Sequence, residues 1–209
     1  MKKLIVLSLV AICMKAQFAK GFNFRNTPGF VTDPANTTYV SADAYPTTRN
    51  GVTFGWLPSQ PPGPADRSNG VDARLAGINY TNGPANSVFQ VDLPATGQYR
   101  INLAIGDASF AASGQGAKIY DGSVAGGNLR LTVGPAATAT GQFLDAAGTA
   151  YSAANWPASN TAATLTFSTS TLLFVLPWAD AGFNGSNLVR VAHLFVSQAS
   201  KPRHRVISQ

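Results

Sequence analysis

Glutamate is absent from this 209-residue sequence, which has one cysteine and two histidines. Because glutamate is among the residues that usually fill helix surfaces, its absence argues against a helical protein. The single cysteine, Cys13, excludes an internal disulfide framework and a cysteine-based zinc site. His193 and His204 are too few for a histidine cluster, and no metal ligand set is predicted from them. His193 lies in a run of strand character. A histidine in such a run is more often a strand residue with satisfied hydrogen bonds than a metal ligand.

Charged residues make up only 11% of the chain, and they are distributed unevenly. Residues 1–25 carry five basic residues and no acid, and the tail from residue 201 carries three more. Between residues 26 and 200, seven basic residues face nine aspartates. The net charge of +6 therefore belongs to two basic ends of a mildly acidic body. Such ends contact nucleic acid, acidic membranes or acidic proteins, or simply keep the termini soluble.

The N-terminal residues 1–20 begin like a signal peptide, with Lys2 and Lys3 before an apolar stretch. Lys15 follows that stretch directly, and no clean small-residue cleavage site precedes Lys20. An apolar run of about eleven residues is too short to span a bilayer. A cleaved signal and a retained apolar-basic arm both remain open. We divide the chain into this segment, a body over 21–199 and a basic tail over 200–209.

The stretch 89–107 carries the strongest strand signal. Phe89, Val91 and Leu93 alternate with polar residues, and the apolar alternation resumes after a Pro-Ala-Thr-Gly corner. A period of two is typical of half-buried strands, while proline and glycine favour a turn. The pattern predicts a β-hairpin whose second strand ends at Asp107.

Similar patterns predict about nine to eleven strands in all, because a period of two dominates the body. The candidate strands cover 21–25, 51–57, 71–80, 114–122, 128–134, two within 161–178, and 186–198. The last of them is expected to pair back to the first. We predict an all-β fold, a single antiparallel β-sandwich of the jelly-roll kind, with less than about a tenth of the body helical.

The order of the motifs resembles a known domain family. It resembles the galactose-binding-like β-sandwich that accompanies rhamnogalacturonan-acetylesterase-type hydrolases, and related carbohydrate-binding modules. The resemblance covers residues 21–135, and Asn23 and Arg25 depart from its pattern. The residues that carry it are Phe22-Asn23-Phe24, Gly55-Trp56, Asp66-Arg67, Asp92-Leu93-Pro94, Gly97, Tyr99 and Gly106-Asp107.

A second and weaker resemblance concerns residues 145–176, which are similar to segments of phage-encoded virion proteins. The catalytic domain of the hydrolases has no counterpart here, because their Gly-Asp-Ser block and following His-Asp pair are missing. The resemblances together imply a non-catalytic protein on a carbohydrate-binding-module-like scaffold.

The residues themselves give little support for a catalytic triad or a catalytic carboxylate pair. A Ser-His-Asp triad would need His193 or His204, one in a strand and the other in the basic tail. A carboxylate pair would have to use aspartates such as Asp107 and Asp121, yet aspartate beside a turn usually caps local amides. No catalytic residue and no cofactor are predicted, and the protein is not expected to be an enzyme.

Two kinds of ligand remain open. A structural calcium could draw on Asp66, Asp72, Asp107 and Asp121, although no dense acidic loop is present. Sugar binding would use exposed aromatics, and Trp56, Trp156 and Trp178 lie near loops. The predicted ligand face gathers 56–67, 107–114 and 178–184, with the site residues Trp56, Asp66, Arg67, Asp107, Phe110, Trp178 and Asp180.

Each of these interpretations has a structural alternative. For Trp56, a place in the hydrophobic core is the favoured interpretation. The polar groups equally suit contacts that hold the long loops to each other, with Asp66 and Arg67 as an internal pair.

Two functions follow as hypotheses. The first is a phage virion component, a capsid decoration or tail accessory protein, located in the virion. Residues 1–20 would attach it to other virion or capsid subunits, as a homo-oligomer or a lattice-bound subunit, with a cell-surface glycan as a further partner and no specific nucleic acid. The alternative is a secreted carbohydrate-binding module.

Overall fold

The computed structural model describes residues 17–27, 37–59, 61–67, 72–81, 83–126, 128–156, 160–183 and 188–199. These ranges contain strands and two 3₁₀ turns, Ala73–Leu75 and Ala153–Asn155. No helix within them has the length and apolar character to cross a membrane. The strands, β1 to β15 in chain order, are Ala19–Phe24, Thr37–Val40, Thr47–Arg49, Val52–Trp56, Gly63–Asp66, Gly77–Tyr80, Ser87–Asp92, Gly97–Asp107, Ala112–Asp121, Asn128–Thr138, Gln142–Leu144, Ala150–Ser152, Ala163–Phe167, Thr171–Leu176 and Arg190–Gln198.

The strands form two sheets. The first sheet has the order β12-β11-β8-β15-β1-β2, with β13 beside β8 and the pair β5-β6 attached to β15. The second sheet has the order β10-β9-β14-β7-β4-β3. Paired strands are antiparallel except β1 and β2, which run parallel. The predicted single antiparallel β-sandwich is confirmed, and β15 pairs with β1 as expected.

Aromatic side chains fill the space between the sheets. The ring of Phe89 in β7 has its centroid 5.1 to 5.8 Å from those of four other buried rings. Tilted and edge-to-face contacts at such distances add to the stabilisation from burial alone. These rings come from both sheets, so they join the sheets into one core: Phe22, Phe24, Phe54 and Trp56.

The predicted hairpin over 89–107 is wrong, although its two strands are present. β7 belongs to the second sheet and pairs with β14 and β4. β8 belongs to the first sheet and pairs with β15, β11 and β13. The corner at 94–96 therefore crosses from one sheet to the other. Alternation shows that both strands face one core, but it does not distinguish neighbours in a sheet from strands facing each other across the core.

Other elements depart from the predicted boundaries. β2, β3, β5, β11 and β12 lie outside all the stretches predicted as strands. Short strands carry too few residues to display alternation. β1 begins at Ala19, inside the segment predicted as an arm. Residues 1–16 and 200–209, with His204, lie outside the described residues.

Gly106 offers a test of this backbone. Its φ is +147°, and an added Cβ would lie 2.4 Å from the Gln142 carbonyl oxygen of β11. Gly106→Ala should lower the free energy of unfolding by about 3 kcal/mol or more, because backbone strain adds to the clash. Gly97→Ala is the matched control, since Gly97 has φ +141° and an added Cβ would meet no described atom within 4 Å.

We expect Gly97→Ala to cost only about 1 to 2 kcal/mol, the strain of the backbone alone. Urea unfolding followed by circular dichroism measures both variants. Equal losses for the two substitutions would contradict the close contact between β8 and β11.

Candidate functional site

Strand register places three loop segments at one end of the sandwich, here called the rim. β4 and β14 both run antiparallel to β7, so they end on the same side, at Trp56 and Leu176. β9 runs antiparallel to β14 and begins at Ala112, shortly after β8 ends at Asp107. The segment 107–114 and the described parts of 56–67 and 178–184 therefore lie at this end.

Arg67 and Asp107 form an ion pair at the rim. Arg67 Nε and Nη2 donate to the two carboxylate oxygens of Asp107, both at 2.8 Å. The Asp107 side chain is fully buried and also accepts from the Ser109 amide at 2.8 Å. These hydrogen bonds raise the pKa of the Arg67 guanidinium above its ordinary value. Asp107 thus ends a strand, caps a turn and orients a cation.

A second arginine approaches the same carboxylate. Arg190 Nε in β15 lies 3.6 Å from Asp107 Oδ2. Burial lowers the pKa of Arg190 from its ordinary value, and the attraction of Asp107 opposes this shift. Arg190 Nη1 is buried and has no hydrogen-bond partner among the described residues. Two guanidinium groups therefore share one buried carboxylate.

Phe110 completes this part of the rim. Its ring is 55% exposed, and the Arg67 guanidinium carbon lies 5.2 Å from its centroid. The surrounding cavity, here called the rim groove, has a volume of about 350 Å³. It is lined by Ala65, Arg67, Tyr80, Phe110, Leu188 and Arg190.

The remaining predicted site residues lie elsewhere. Trp56 is 1% exposed and packs against Phe24 and Phe89, so it belongs to the core and its ring has no surface for a ligand. Trp178 is partly buried against the core, and Asp180 binds Lys118 and Asn86.

Asp66 holds a loop rather than a ligand. Its carboxylate accepts from the backbone amides of Asn26 and Thr27 and from the Thr27 hydroxyl. It also lies 3.4 Å from Arg25. The predicted internal ion pair between Asp66 and Arg67 is wrong. The Arg67 guanidinium donates to the Asp66 backbone carbonyl and forms its ion pair with Asp107.

The two aspartates considered as a catalytic pair are far apart. β9 has 10 residues between the rim and Asp121, so it separates Asp107 from Asp121 by about 30 Å. Asp121 accepts hydrogen bonds from Thr169, Arg130 and Ser168. Burial opposes its charge, but these bonds outweigh burial and hold the pKa of the Asp121 carboxyl well below its usual range.

The same separation rules out a calcium ion shared by Asp107 and Asp121. Within the described ranges, no three histidine, cysteine or acidic side chains come together to hold a metal ion.

A second cavity lies on the outward face of the first sheet. Leu194 of β15 faces the core, so His193 and Phe195 face outward, and β1 turns Gly21 outward beside Phe195. Asn102 of β8 pairs with Phe195 from the other side. This cavity, here called the outer-face pocket, has a volume of about 210 Å³ and is lined by Thr37, Arg74, Asn102, Trp156, Asn160, His193 and Phe195.

Polar side chains, two of them buried, form one wall of the outer-face pocket. Asp72 binds Arg74 through two hydrogen bonds of 2.9 and 2.7 Å, and the guanidinium lies 4.2 Å from the Trp156 ring centroid. Trp156 meets His193 edge to face at 5.5 Å. Burial, with a smaller effect of the Arg74 charge, lowers the pKa of His193 to about 3, so its imidazole is neutral.

The sequence indicated only part of this pocket. Trp156 was a candidate aromatic, but His193 was interpreted as a strand residue, and Arg74, Asn102 and Asn160 were not singled out. The alternating pattern does show which polar residues of each strand face away from the core. Which of them become neighbours depends on the register between β1, β8 and β15, and the sequence pattern does not show register.

Comparison with known proteins assigns no family. No family model and no curated protein matches the chain. A truncated AlyQ with CBM32 and alginate lyase domains is 14% identical, with 63% of this chain and 28% of that chain covered and a TM-score of 0.32. A histidine mutant of the lectin-binding domain of lectinolysin complexed with Lewis b is 12% identical over 68% and 94% of the chains, with a TM-score of 0.30.

A third structure is the family 32 carbohydrate-binding module of NanJ from C. perfringens in complex with galactose. It is 13% identical over 66% of this chain and 93% of that chain, with a TM-score of 0.27. TM-scores in this range do not decide fold or ligand, so the fold class rests on the two sheets described above. The resemblances to acetylesterase-type hydrolases and to virion proteins stay predictions.

The buried His193 predicts a pH dependence of stability. A histidine has a pKa of about 6.5 when unfolded, and the folded value is about 3. The unfolded chain therefore takes up a proton first as the pH falls, and stability that is complete above pH 6.5 decreases toward pH 3. Between pH 6.5 and 4.5, where aspartates stay largely ionised, we expect a loss of about 2 to 3 kcal/mol.

Chemical unfolding at several pH values measures this slope. His193→Gln should flatten it, whatever its effect on the absolute stability. His204→Gln is the matched control, because His204 is the other histidine of the sequence, and it should leave the slope unchanged. An unchanged slope in His193→Gln would show that the imidazole is charged or accessible in the folded state.

Proposed function

We propose that the protein is a secreted, non-catalytic carbohydrate-binding module whose rim groove binds a glycan that carries an acidic group. The observation that carries the proposal is an exposed aromatic ring beside two arginines that share one buried carboxylate. The signal-like pattern of residues 1–20 supports export.

Phe110 supplies the apolar contact. Exposed rings of this kind stack on the apolar C–H face of a sugar, while fixed polar groups hydrogen-bond its hydroxyls. Among the described residues, large side chains with such exposure are uncommon, since most of the described aromatic rings lie in the core. Arg67 is held in place by Asp107 and so presents its remaining surface beside the ring.

Arg190 supplies the preference for an acid. A buried guanidinium nitrogen without an acceptor costs free energy that a ligand oxygen would recover. The groove holds two positive groups and one negative group, Asp107, within the described residues. A carboxylate or sulfate oxygen on a sugar matches both the charge and the planar geometry of a guanidinium.

The same geometry argues against catalysis in the groove. Asp107 is its carboxylate, and both oxygens are engaged by Arg67. The Asp107 side chain is also fully buried, so a substrate in the groove does not reach it. The hypothesis of a virion component relies on residues 1–20, most of which lie outside the described residues, and no structural observation favours it.

Phe110→Ala tests the aromatic contact. With oligogalacturonate as the probe, isothermal titration calorimetry should show an affinity about tenfold lower than that of the wild type. Folding stability should not change, because the ring is mostly exposed. Leu129→Ala is the matched control, since Leu129 is a large apolar residue of β10 with 49% exposure. Equal binding by wild type and Phe110→Ala would refute the proposed site.

The arginines predict a dependence on salt. Raising the ionic strength from about 0.05 to 0.5 M should weaken oligogalacturonate binding severalfold, because the attraction between partly exposed charges is screened. A neutral oligosaccharide of equal length should bind more weakly and without this salt dependence. If the neutral and acidic oligosaccharides bind alike at both salt concentrations, Arg190 does not recognise an acid.

A further inference from the structure

We propose that the outer-face pocket is a second binding site, separate from the rim groove, for a neutral hydroxyl-rich molecule of the size of one monosaccharide. The inference goes beyond the proposed function, and either site can exist without the other. No residue lines both cavities. The pocket lies on the face of the first sheet, whereas the rim groove lies at the strand ends.

Two buried polar atoms in the pocket wall carry the argument. His193 is 3% exposed and Trp156 is 7% exposed, and both line the pocket. Neither His193 Nδ1 nor Trp156 Nε1 has a hydrogen-bond partner among the described residues. Proteins pair nearly all such groups, so two unpaired nitrogens beside one cavity indicate a missing ligand.

The chemistry of these atoms points to hydroxyl groups. The indole N–H of Trp156 only donates, whereas the neutral imidazole of His193 has one donating and one accepting nitrogen. A hydroxyl group both donates and accepts, so adjacent hydroxyls of one sugar ring can satisfy both side chains.

The charge of the pocket favours a neutral ligand. Arg74 is the one lining residue with a permanent charge, and Asp72 already binds its guanidinium. The amide of Asn160 donates to the Leu103 carbonyl and accepts from Asn102, so both amides have fixed orientations. No charge is left over to attract an acidic group, in contrast to the rim groove.

The size of the pocket limits the ligand to about one ring. Its volume of about 210 Å³ is below the roughly 300 to 1,000 Å³ of sites for drug-sized ligands. Gly21 lies beside two of the lining residues, because an added Cβ would lie 2.9 Å from Thr37 Oγ1 and 3.2 Å from His193 Cε1. Phe195 adds a partly buried aromatic wall.

The test uses the full chain, a panel of methyl glycosides of neutral hexoses, and NMR of the three tryptophan indole N–H groups. Titration of at least one glycoside should shift the Trp156 indole resonance and leave that of the core residue Trp56 in place. Trp156→Phe removes the donor and keeps an aromatic ring, and it should weaken binding about five- to tenfold. Gly21→Ala should abolish binding, because the added methyl group crowds the lining residues Thr37 and His193.

Phe110→Ala is the control, because it alters only the rim groove and should leave these shifts unchanged. Binding of neutral glycosides with failed oligogalacturonate binding would support the pocket and refute the rim proposal. The reverse result would refute the pocket alone. The inference is overturned if no neutral glycoside shifts the Trp156 indole at about 50 mM, which detects sites of millimolar affinity. It is also overturned if the shifts and the affinity persist in a folded Trp156→Phe or Gly21→Ala variant.

Discussion

The alternation of side chains along β1, β8 and β15 is the constraint on which the rest of the structure depends. Every second residue of these neighbouring strands enters the aromatic core, apart from a register shift between Val191 and His193 in β15, so the residues between them face outward. Phe22 and Leu194 are completely buried between the sheets, and Asn23 and His193 share the opposite face. One periodicity therefore builds both the core and the wall of the outer-face pocket.

The two cavities differ in how the charges of their polar side chains are compensated. At the rim, the charge of Asp107 is distributed between Arg67 and Arg190, which leaves a positive excess. On the outer face, the charges of Asp72 and Arg74 cancel, and neutral hydrogen-bonding groups remain. Because burial strengthens electrostatic preferences, the two proposals assign different ligands to the two cavities.

Asp107 shows which parts of the candidate site could be predicted from the sequence and which could not. Its place at the end of a strand, before a turn, follows from the alternation of 97–107 and is confirmed. Its ion pair with Arg67 joins residues forty positions apart, and no local pattern connects them. From the sequence, Arg67 was predicted to pair with its neighbour Asp66, because the sequence shows only which residues are adjacent along the chain.

The fold class, most of the long strands and the candidacy of Phe110 and Trp156 follow from composition and periodicity, which are local properties. Tertiary structure alone decided that the corner after Leu93 crosses between sheets and that Arg190 joins the rim. These outcomes depend on which strands pair and in what register. Pairing and register are set by the packing of the whole core, in which residues distant in the chain compete for the same neighbours.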